Sequence, residues 1–148
     1  MSLLIGIKNT TTQTVPALGT IDLGSVYRRY CKKNNCGIKT FDTTSTSVTV
    51  QHPGIYHLTV TAVGSGNDAG IVTIQLLENG TAVAGALSSE TITTADTELR
   101  TFVIDTYVLI DDVVLLGNNS TFVKTLSLQN TGVAATFTSV VINLEKVV

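Results

Sequence analysis

The sequence predicts an all-β sandwich or barrel of eight to ten antiparallel strands. From residue 46 onward, apolar and polar residues alternate with period two, which is the pattern of strands that bury one face. Short stretches rich in Gly and Asn, which suit turns, separate the alternating segments. No segment shows convincing helical periodicity. Together these three observations favour a β-sandwich or a β-barrel over any helical or mixed fold.

Length and composition indicate one domain that associates with copies of itself. A chain of 148 residues is long enough to bury a core without disulfides or metals. Charged residues make up 14%, against roughly 25% in an average soluble domain, so much of the surface is neutral and suited to cover by identical neighbours. The net charge of −2 provides no global attraction to nucleic acid or to acidic membranes.

The N-terminal segment does not predict secretion or membrane insertion. Residues 1–8 lack the positive region of a secretory signal, and no apolar stretch in the chain reaches roughly 18 residues. We therefore expect synthesis in the cytoplasm, unless a leader has already been removed. Residues 1–25 are interpreted as a first strand or as an extended, anchoring arm, and residues 26–148 as the jelly-roll domain.

Residues 26–41 form a segment of unusual composition. They hold five of the nine basic residues, two of the four tyrosines and both cysteines.

The first strands follow from the alternation. Residues 54–63 form a strand with Tyr56 on its core face and His57 on the other. Residues 64–70 are a loop by composition, and residues 71–77 are a strand.

The remaining strands are marked by turn residues. Asn79-Gly80 between two strand candidates is a strong hairpin signal. Polar residues 88–98 suit a crossing loop or an edge strand, and a long strand spans residues 99–110. Asp111-Asp112 is a predicted turn into a strand at residues 113–116, with a second turn at residues 117–120. Strands at residues 122–128 and 135–145 flank a turn at residues 130–132.

Some strands are apolar on both faces, which calls for a partner on the second face. Such runs occur at residues 71–77 and 140–142. The residues expected to pack in the core or in a trimer contact are Tyr56, Leu58, Val60, Ile74, Leu76, Phe102, Ile104, Val108, Val141 and Ile142.

Four motifs in order resemble the complement-type globular head and tumour necrosis factor-like jelly rolls, a fold type also carried by phage decoration and fibre proteins. These are the Pro53-Gly54 strand entry, the hairpin around Asn79, the segment 103–116 and the closing strand 136–144. The resemblance covers about residues 36–146. Two departures are Asp111-Asp112, where the family has Gly-Asp, and Phe137-Thr138-Ser139, where it prefers Phe-Ser-Gly. The resemblance implies ten strands in two sheets and a tightly packed homotrimer.

Catalytic chemistry is not indicated. Nucleophilic catalysis needs a base beside a Ser or Cys, and the two histidines, His52 and His57, lie in no catalytic motif. We expect them at the surface or in a subunit contact, with no cofactor and no enzymatic activity.

For Cys31 and Cys36 there are three hypotheses: two free thiols, a local disulfide or a metal site. No second Cys or His pair at zinc spacing accompanies them, which disfavours a metal site. Two free thiols are favoured over a local disulfide, because proteins assembled in a reducing cytoplasm keep free thiols.

The basic cluster Arg28, Arg29, Lys32 and Lys33 lies beside Tyr27 and Tyr30 and has two readings. Guanidinium and aromatic planes bind nucleic acid, but a solvated basic loop, or a patch that docks on an acidic partner protein, is favoured. Calcium at Asp111, Asp112, Asn67 and Asp68 is disfavoured, because turn chemistry explains the same residues and no metal-binding loop is present.

The sequence thus predicts a non-enzymatic protein of a virion, assembled in the host cytoplasm. The favoured form is a homotrimeric bacteriophage capsid decoration or head-fibre module that docks on a capsid or fibre-base protein. The alternative is a receptor- or carbohydrate-binding tip of a fibre or of a spore-surface trimer, with loops 64–70 and 88–98 facing a host-surface glycan. Those loops lack the aromatic residues expected of such a site.

Overall fold

The computed structural model describes residues 3–31, 41–110 and 123–147, and within these ranges the chain is built of strands without a helix. The eleven strands of the described ranges are β1 (Leu3–Asn9), β2 (Gln13–Val15), β3 (Ser25–Cys31), β4 (Phe41–Thr43), β5 (Val48–Val50), β6 (Gly54–Gly66), β7 (Gly70–Glu78), β8 (Thr81–Ile92), β9 (Arg100–Ile110), β10 (Lys124–Asn130) and β11 (Ala135–Lys146). The predicted all-β sandwich is confirmed. The strand number exceeds the predicted range by one, since β2, β4 and β5 are only three residues long.

Two antiparallel sheets face each other. One has the order β3-β1-β11-β6-β9, with β2 also pairing with β11, and the other has the order β4-β5-β10-β7-β8. The end strands β8 and β9 contact each other, so they lie on the same flank of the sandwich. In the first sheet, the strand order makes β3 and β9 the two opposite edges.

The alternation of β6 and β9 places one set of side chains in the core. Tyr56, Leu58 and Val60 of β6 are buried, as are Phe102 and the other alternate apolar residues of β9. The predicted faces of these two strands are therefore confirmed. Edge-to-face packing of Phe102 on Phe137, with ring centroids 5.9 Å apart, joins β9 to β11 across the intervening β6.

The N-terminal segment is packed into the sandwich. β1 lies between β3 and β11 and buries Ile5 and Ile7. Farther along, Val15, Ile21 and Leu23 are also buried in the core. The domain boundary at residue 25 stays a prediction.

The predicted hairpin at Asn79-Gly80 is confirmed. Both residues have positive φ, 52° and 80°, as a two-residue type I′ turn requires. The Asn79 side chain also accepts a hydrogen bond from the Thr125 amide at 2.9 Å, which ties the turn to β10. The predicted turn after Asn130 is confirmed too, with the Asn130 Oδ1 accepting from the Gly132 amide at 3.0 Å.

Two predicted loops are shorter than expected. Strand β6 continues to Gly66, so the loop predicted at residues 64–70 covers only residues 67–69. A Cβ on Gly64 would lie 2.7 Å from the Thr136 carbonyl oxygen of the neighbouring strand, so this glycine permits close strand approach, not a turn. Strand β8 runs to Ile92, which makes residues 88–92 an edge strand and leaves a turn at residues 93–99.

Several predicted elements lie outside the described residues. These are the Asp111-Asp112 turn, the strand at residues 113–116, the turn at residues 117–120 and the first residue of the strand predicted at 122–128.

Candidate functional site

The sheet that contains β9 carries exposed apolar side chains on the face that points away from the core. This surface, formed by the outward residues of β3, β1, β11, β6 and β9, is named the open face. Its exposed apolar and aromatic residues in the described chain include Val103, Tyr107 and Leu109 of β9 and Tyr30 of β3, each at least half exposed. The half-buried Ile55 and Val141 continue the apolar surface onto β6 and β11.

The outward face of the other sheet is polar by comparison. Cross-strand hydroxyl pairs cover it, with Thr49 bonded to Thr125 at 3.0 Å and Thr73 bonded to Ser89 at 2.7 Å. Ile71 and Leu87 are also exposed on this face, where their cross-strand partners are the polar Thr91 and Gln75. The two faces of the sandwich therefore differ in chemistry, and the open face is the more apolar.

His57 lies among polar groups within this apolar surface. Its Nε2 is 2.6 Å from the Asp105 Oδ1, and its ring stacks on Tyr107 with centroids 5.2 Å apart. On the other side, Glu145 of β11 is directly opposite His57 in the strand register. The His57 imidazole thus contacts the Asp105 carboxylate of β9, and Glu145 is its register neighbour on β11.

The β3 side of the open face is basic and aromatic. The Tyr27 hydroxyl donates to the Asn143 Oδ1 at 3.0 Å, and the ring covers Gly6, where a Cβ would lie 2.8 Å from a ring carbon. Lys8 Nζ and the Arg28 guanidinium lie 5.1 Å and 5.3 Å from the centre of the Tyr27 ring. These distances are within the range of cation–π interactions.

The basic cluster is only partly described. Arg28 and Arg29 lie on strand β3, so the expectation of a basic loop is wrong for these two residues. Pairing with β1 makes the segment a strand despite its charge, because Val26 packs against the core. Lys32 and Lys33 lie outside the described residues.

The residues predicted for core or trimer packing divide into two groups. Val141 is half-buried on the open face, opposite Thr61. The other nine are buried in the core and are not available to a partner: Tyr56, Leu58, Val60, Ile74, Leu76, Phe102, Ile104, Val108 and Ile142.

The histidines are not part of a catalytic arrangement in the described chain. Within residues 3–31, 41–110 and 123–147, no Ser, Thr or Cys side chain hydrogen-bonds to the His57 imidazole, whose partner is Asp105. The His52 ring contacts the Pro53 carbonyl and the Lys146 ammonium. These contacts give neither histidine a nucleophile to activate.

Other predicted chemistry falls partly outside the described chain. Cys36 and the Cys31 side chain are outside it, so the disulfide and thiol readings stay predictions. Asp111 and Asp112 are outside it too, and in the part that is described no three His, Cys, Asp or Glu side chains cluster as metal ligands would. Among the described residues there is also no helix long and apolar enough to cross a membrane.

The turn at residues 93–99 is closed from within. The Glu98 carboxylate accepts hydrogen bonds from the Thr93 amide at 2.7 Å and the Thr93 hydroxyl at 2.9 Å. These hydrogen bonds lower the pKa of Glu98. The turn contains no aromatic residue that could stack on a sugar.

Sequence reasoning missed the exposed residues of β9. The alternation of β9 identifies its buried face, but Val103, Tyr107 and Leu109 make the same strand apolar on its second face as well. The signal was present, since residues 102–104 and 107–110 are uninterrupted apolar runs.

Comparisons of the whole fold place the chain among jelly rolls. The Eiger tumour necrosis factor of S. frugiperda superimposes with a TM-score of 0.68 at 11% identity, covering 100% of this chain and 92% of that one. The globular domain of zebrafish complement 1qA gives 0.61 at 9% identity, covering 96% and 94%. The PRD1 vertex protein P5 gives 0.54 at 14% identity, covering 99% and 97%.

The resemblance is one of fold. No protein-family model matches the sequence, and no curated protein matches it either. The chain therefore shares the tumour necrosis factor-like and complement-type jelly-roll fold that its motifs predicted.

Proposed function

We propose that the chain is a non-enzymatic structural protein of a virion and that it works as a homotrimer whose copies meet through the open face. The observation that carries the proposal is the apolar surface of β9, where Tyr107 and Leu109 are exposed on alternate residues and Val103 is exposed on the same face beyond Asp105. Single exposed apolar residues are ordinary, whereas contiguous apolar patches mark interaction surfaces.

The composition supports association of identical copies. Only 14% of the residues are charged, so electrostatic repulsion between identical copies is weak. The open face also carries the exposed Tyr30 and Tyr107, and aromatic residues are enriched in interfaces. The trimer, as the specific stoichiometry, is supported by the jelly-roll fold shared with the tumour necrosis factor and complement heads.

The virion role is supported by the likeness to a phage vertex protein. The finer proposal is a bacteriophage capsid decoration or head-fibre module that docks on a capsid or fibre-base protein. Docking through Arg28, Arg29, Lys32 and Lys33 stays a prediction, because Lys32 and Lys33 lie outside the described residues. A glycan-binding tip also stays a prediction.

The interface is tested with a matched pair of substitutions. Val103 on the open face and Ile71 on the other sheet are both 55% exposed, so aspartate at either site imposes a similar change on the monomer. Light scattering coupled to size exclusion should give a trimer for wild type and for Ile71→Asp, and a monomer for Val103→Asp. A Val103→Asp variant that stays trimeric with a wild-type circular dichroism spectrum would place the contact elsewhere.

The virion role has its own test. Particles purified on a density gradient from a culture that produces the chain should carry it, and peptide mass spectrometry should find it in the particle band. Recovery of the chain only in the particle-free fractions would contradict the virion role and leave the trimer unaffected.

A further inference from the structure

The open face is charged differently at its two edges. Arg28 and Lys8 lie at the β3-β1 edge, while Asp105 lies at the β9 edge. The acidic edge strand also carries the exposed Val103 and Tyr107, and the basic edge carries the exposed Tyr30. Each edge therefore combines apolar or aromatic surface with one sign of charge.

Arg28 and Asp105 occupy the same row of the sheet. The register pairs Arg28 with Gly6, Gly6 with Asn143, Asn143 with Thr59 and Thr59 with Asp105. Four strand spacings of about 4.8 Å separate the two residues by roughly 19 Å, so they cannot pair within one chain. The charges can meet only if another molecule supplies the opposite edge.

A second copy of this chain supplies such an edge. When opposite edges of one sheet meet head to tail, each copy uses both of its edges, and the copies form a closed ring if the rotation between them closes. The edge that carries Arg28 and Tyr30 then lies against the edge of the next copy that carries Asp105 and Tyr107. The contact joins opposite charges and places aromatic residues on both sides.

We infer that copies of the chain associate head to tail, the β9 edge of one on the β3 edge of the next, through an Arg28–Asp105 ion pair between chains. The inference rests on the proposed function, which supplies the open face as the contact. Asp105 is suited to this role because its side chain is 63% exposed while its Oδ1 accepts from His57. Because a carboxylate has two acceptor oxygens, Asp105 can accept from a guanidinium while its Oδ1 accepts from His57.

The His57–Asp105 contact also orients the carboxylate before the copies meet. Held at 2.6 Å by the imidazole, which is stacked on Tyr107, Asp105 loses less freedom when Arg28 approaches. The Arg28 guanidinium is similarly placed by the Tyr27 ring at 5.3 Å. Both partners of the ion pair are therefore positioned by neighbours in their own chain.

A charge-reversal cycle tests the inference. Analytical ultracentrifugation at pH 8 and low salt would compare wild type, Arg28→Glu, Asp105→Arg and the double variant. Each single reversal should raise the concentration of half-dissociation about tenfold or more, because like charges then face each other, and the double variant should recover most of the loss. Lys124→Glu, a reversal on the other sheet, should leave the dissociation unchanged.

The outcomes separate this inference from the proposed function. If wild type assembles and both single reversals assemble equally well, or the double variant is no better than the singles, the head-to-tail ion pair is wrong and the trimer stands. A wild-type chain that is monomeric at all concentrations overturns the proposed function and this inference together.

Discussion

Asn130 is a buried polar residue on which two chain segments depend. Its Nδ2 donates to the carbonyls of Val15 at 3.3 Å and Val133 at 2.8 Å, and its Oδ1 accepts from Gly132. With no exposed surface, the side chain joins the N-terminal segment to the turn before β11. Buried polar groups of this kind stabilise only while every partner is present.

Asn130→Ala should therefore lower the free energy of unfolding by about 2–4 kcal/mol, because it leaves buried backbone groups without partners. The neighbouring Gln129, with one hydrogen bond to the Leu18 carbonyl at 3.0 Å, provides the control. Gln129→Ala should cost about 1 kcal/mol or less. Urea unfolding at one fixed protein concentration measures both, and equal losses would contradict the assignment.

Tyr56 gives the fold a dependence on high pH. Burial raises the pKa of Tyr56 to about 12, and its hydroxyl donates to the His52 carbonyl at 2.7 Å. An unfolded tyrosine ionises near pH 10, so the native state is favoured fully below pH 10 and progressively less as pH rises to 12.

Tyr56→Phe should cost about 1 kcal/mol at pH 7 through the lost hydrogen bond. The difference from wild type should shrink, and then reverse, as the pH rises from 10 to 12, because phenylalanine has no proton to lose. Urea unfolding of both proteins at pH 7, 10 and 11 measures this. A difference that stays constant would show that Tyr56 ionises equally in the folded and unfolded chains.

Among the strands, the β7-β8 hairpin shows how a short sequence signal fixes a register. Gly80 has a φ of 80°, and a Cβ placed there would have no atom within 4 Å. The cost of a side chain at this position is thus conformational, since no steric contact opposes it.

Gly80→Ala should reduce the free energy of unfolding by about 1–2 kcal/mol, because alanine resists left-handed backbone angles. Gly80→Asn should cost clearly less, since asparagine adopts those angles more readily. Thermal unfolding of the two variants separates the cases. Equal losses would mean that the hairpin does not depend on the backbone of this turn.

The strands were predictable wherever one face meets the core and the other meets water. β6 and the buried face of β9 followed from alternation, and the hairpin followed from Asn79-Gly80. Strand ends were less predictable, because Gly64 reads as a turn residue in sequence but serves close packing against β11 in the sheet. Strand β3 was not predictable from local sequence either, because it is charged and its partner, β1, lies more than fifteen residues earlier.

At the scale of the whole molecule, the candidate site is a product of topology. Val103 and Arg28 lie far apart in the sequence, and only the order of strands in the sheet places them on one face at opposite edges. Sequence alone could show that β9 is apolar on both faces, but not which charges share its face. The order β3-β1-β11-β6-β9 supplies that information and gives the open face its acidic and basic edges.

The central claim is that this jelly roll functions as a homotrimer assembled through its open face. Sedimentation equilibrium of the wild-type chain over a wide range of concentrations tests it most directly. The account predicts a species of three times 15.6 kDa that dissociates only on dilution. A mass of 15.6 kDa at every concentration would contradict it.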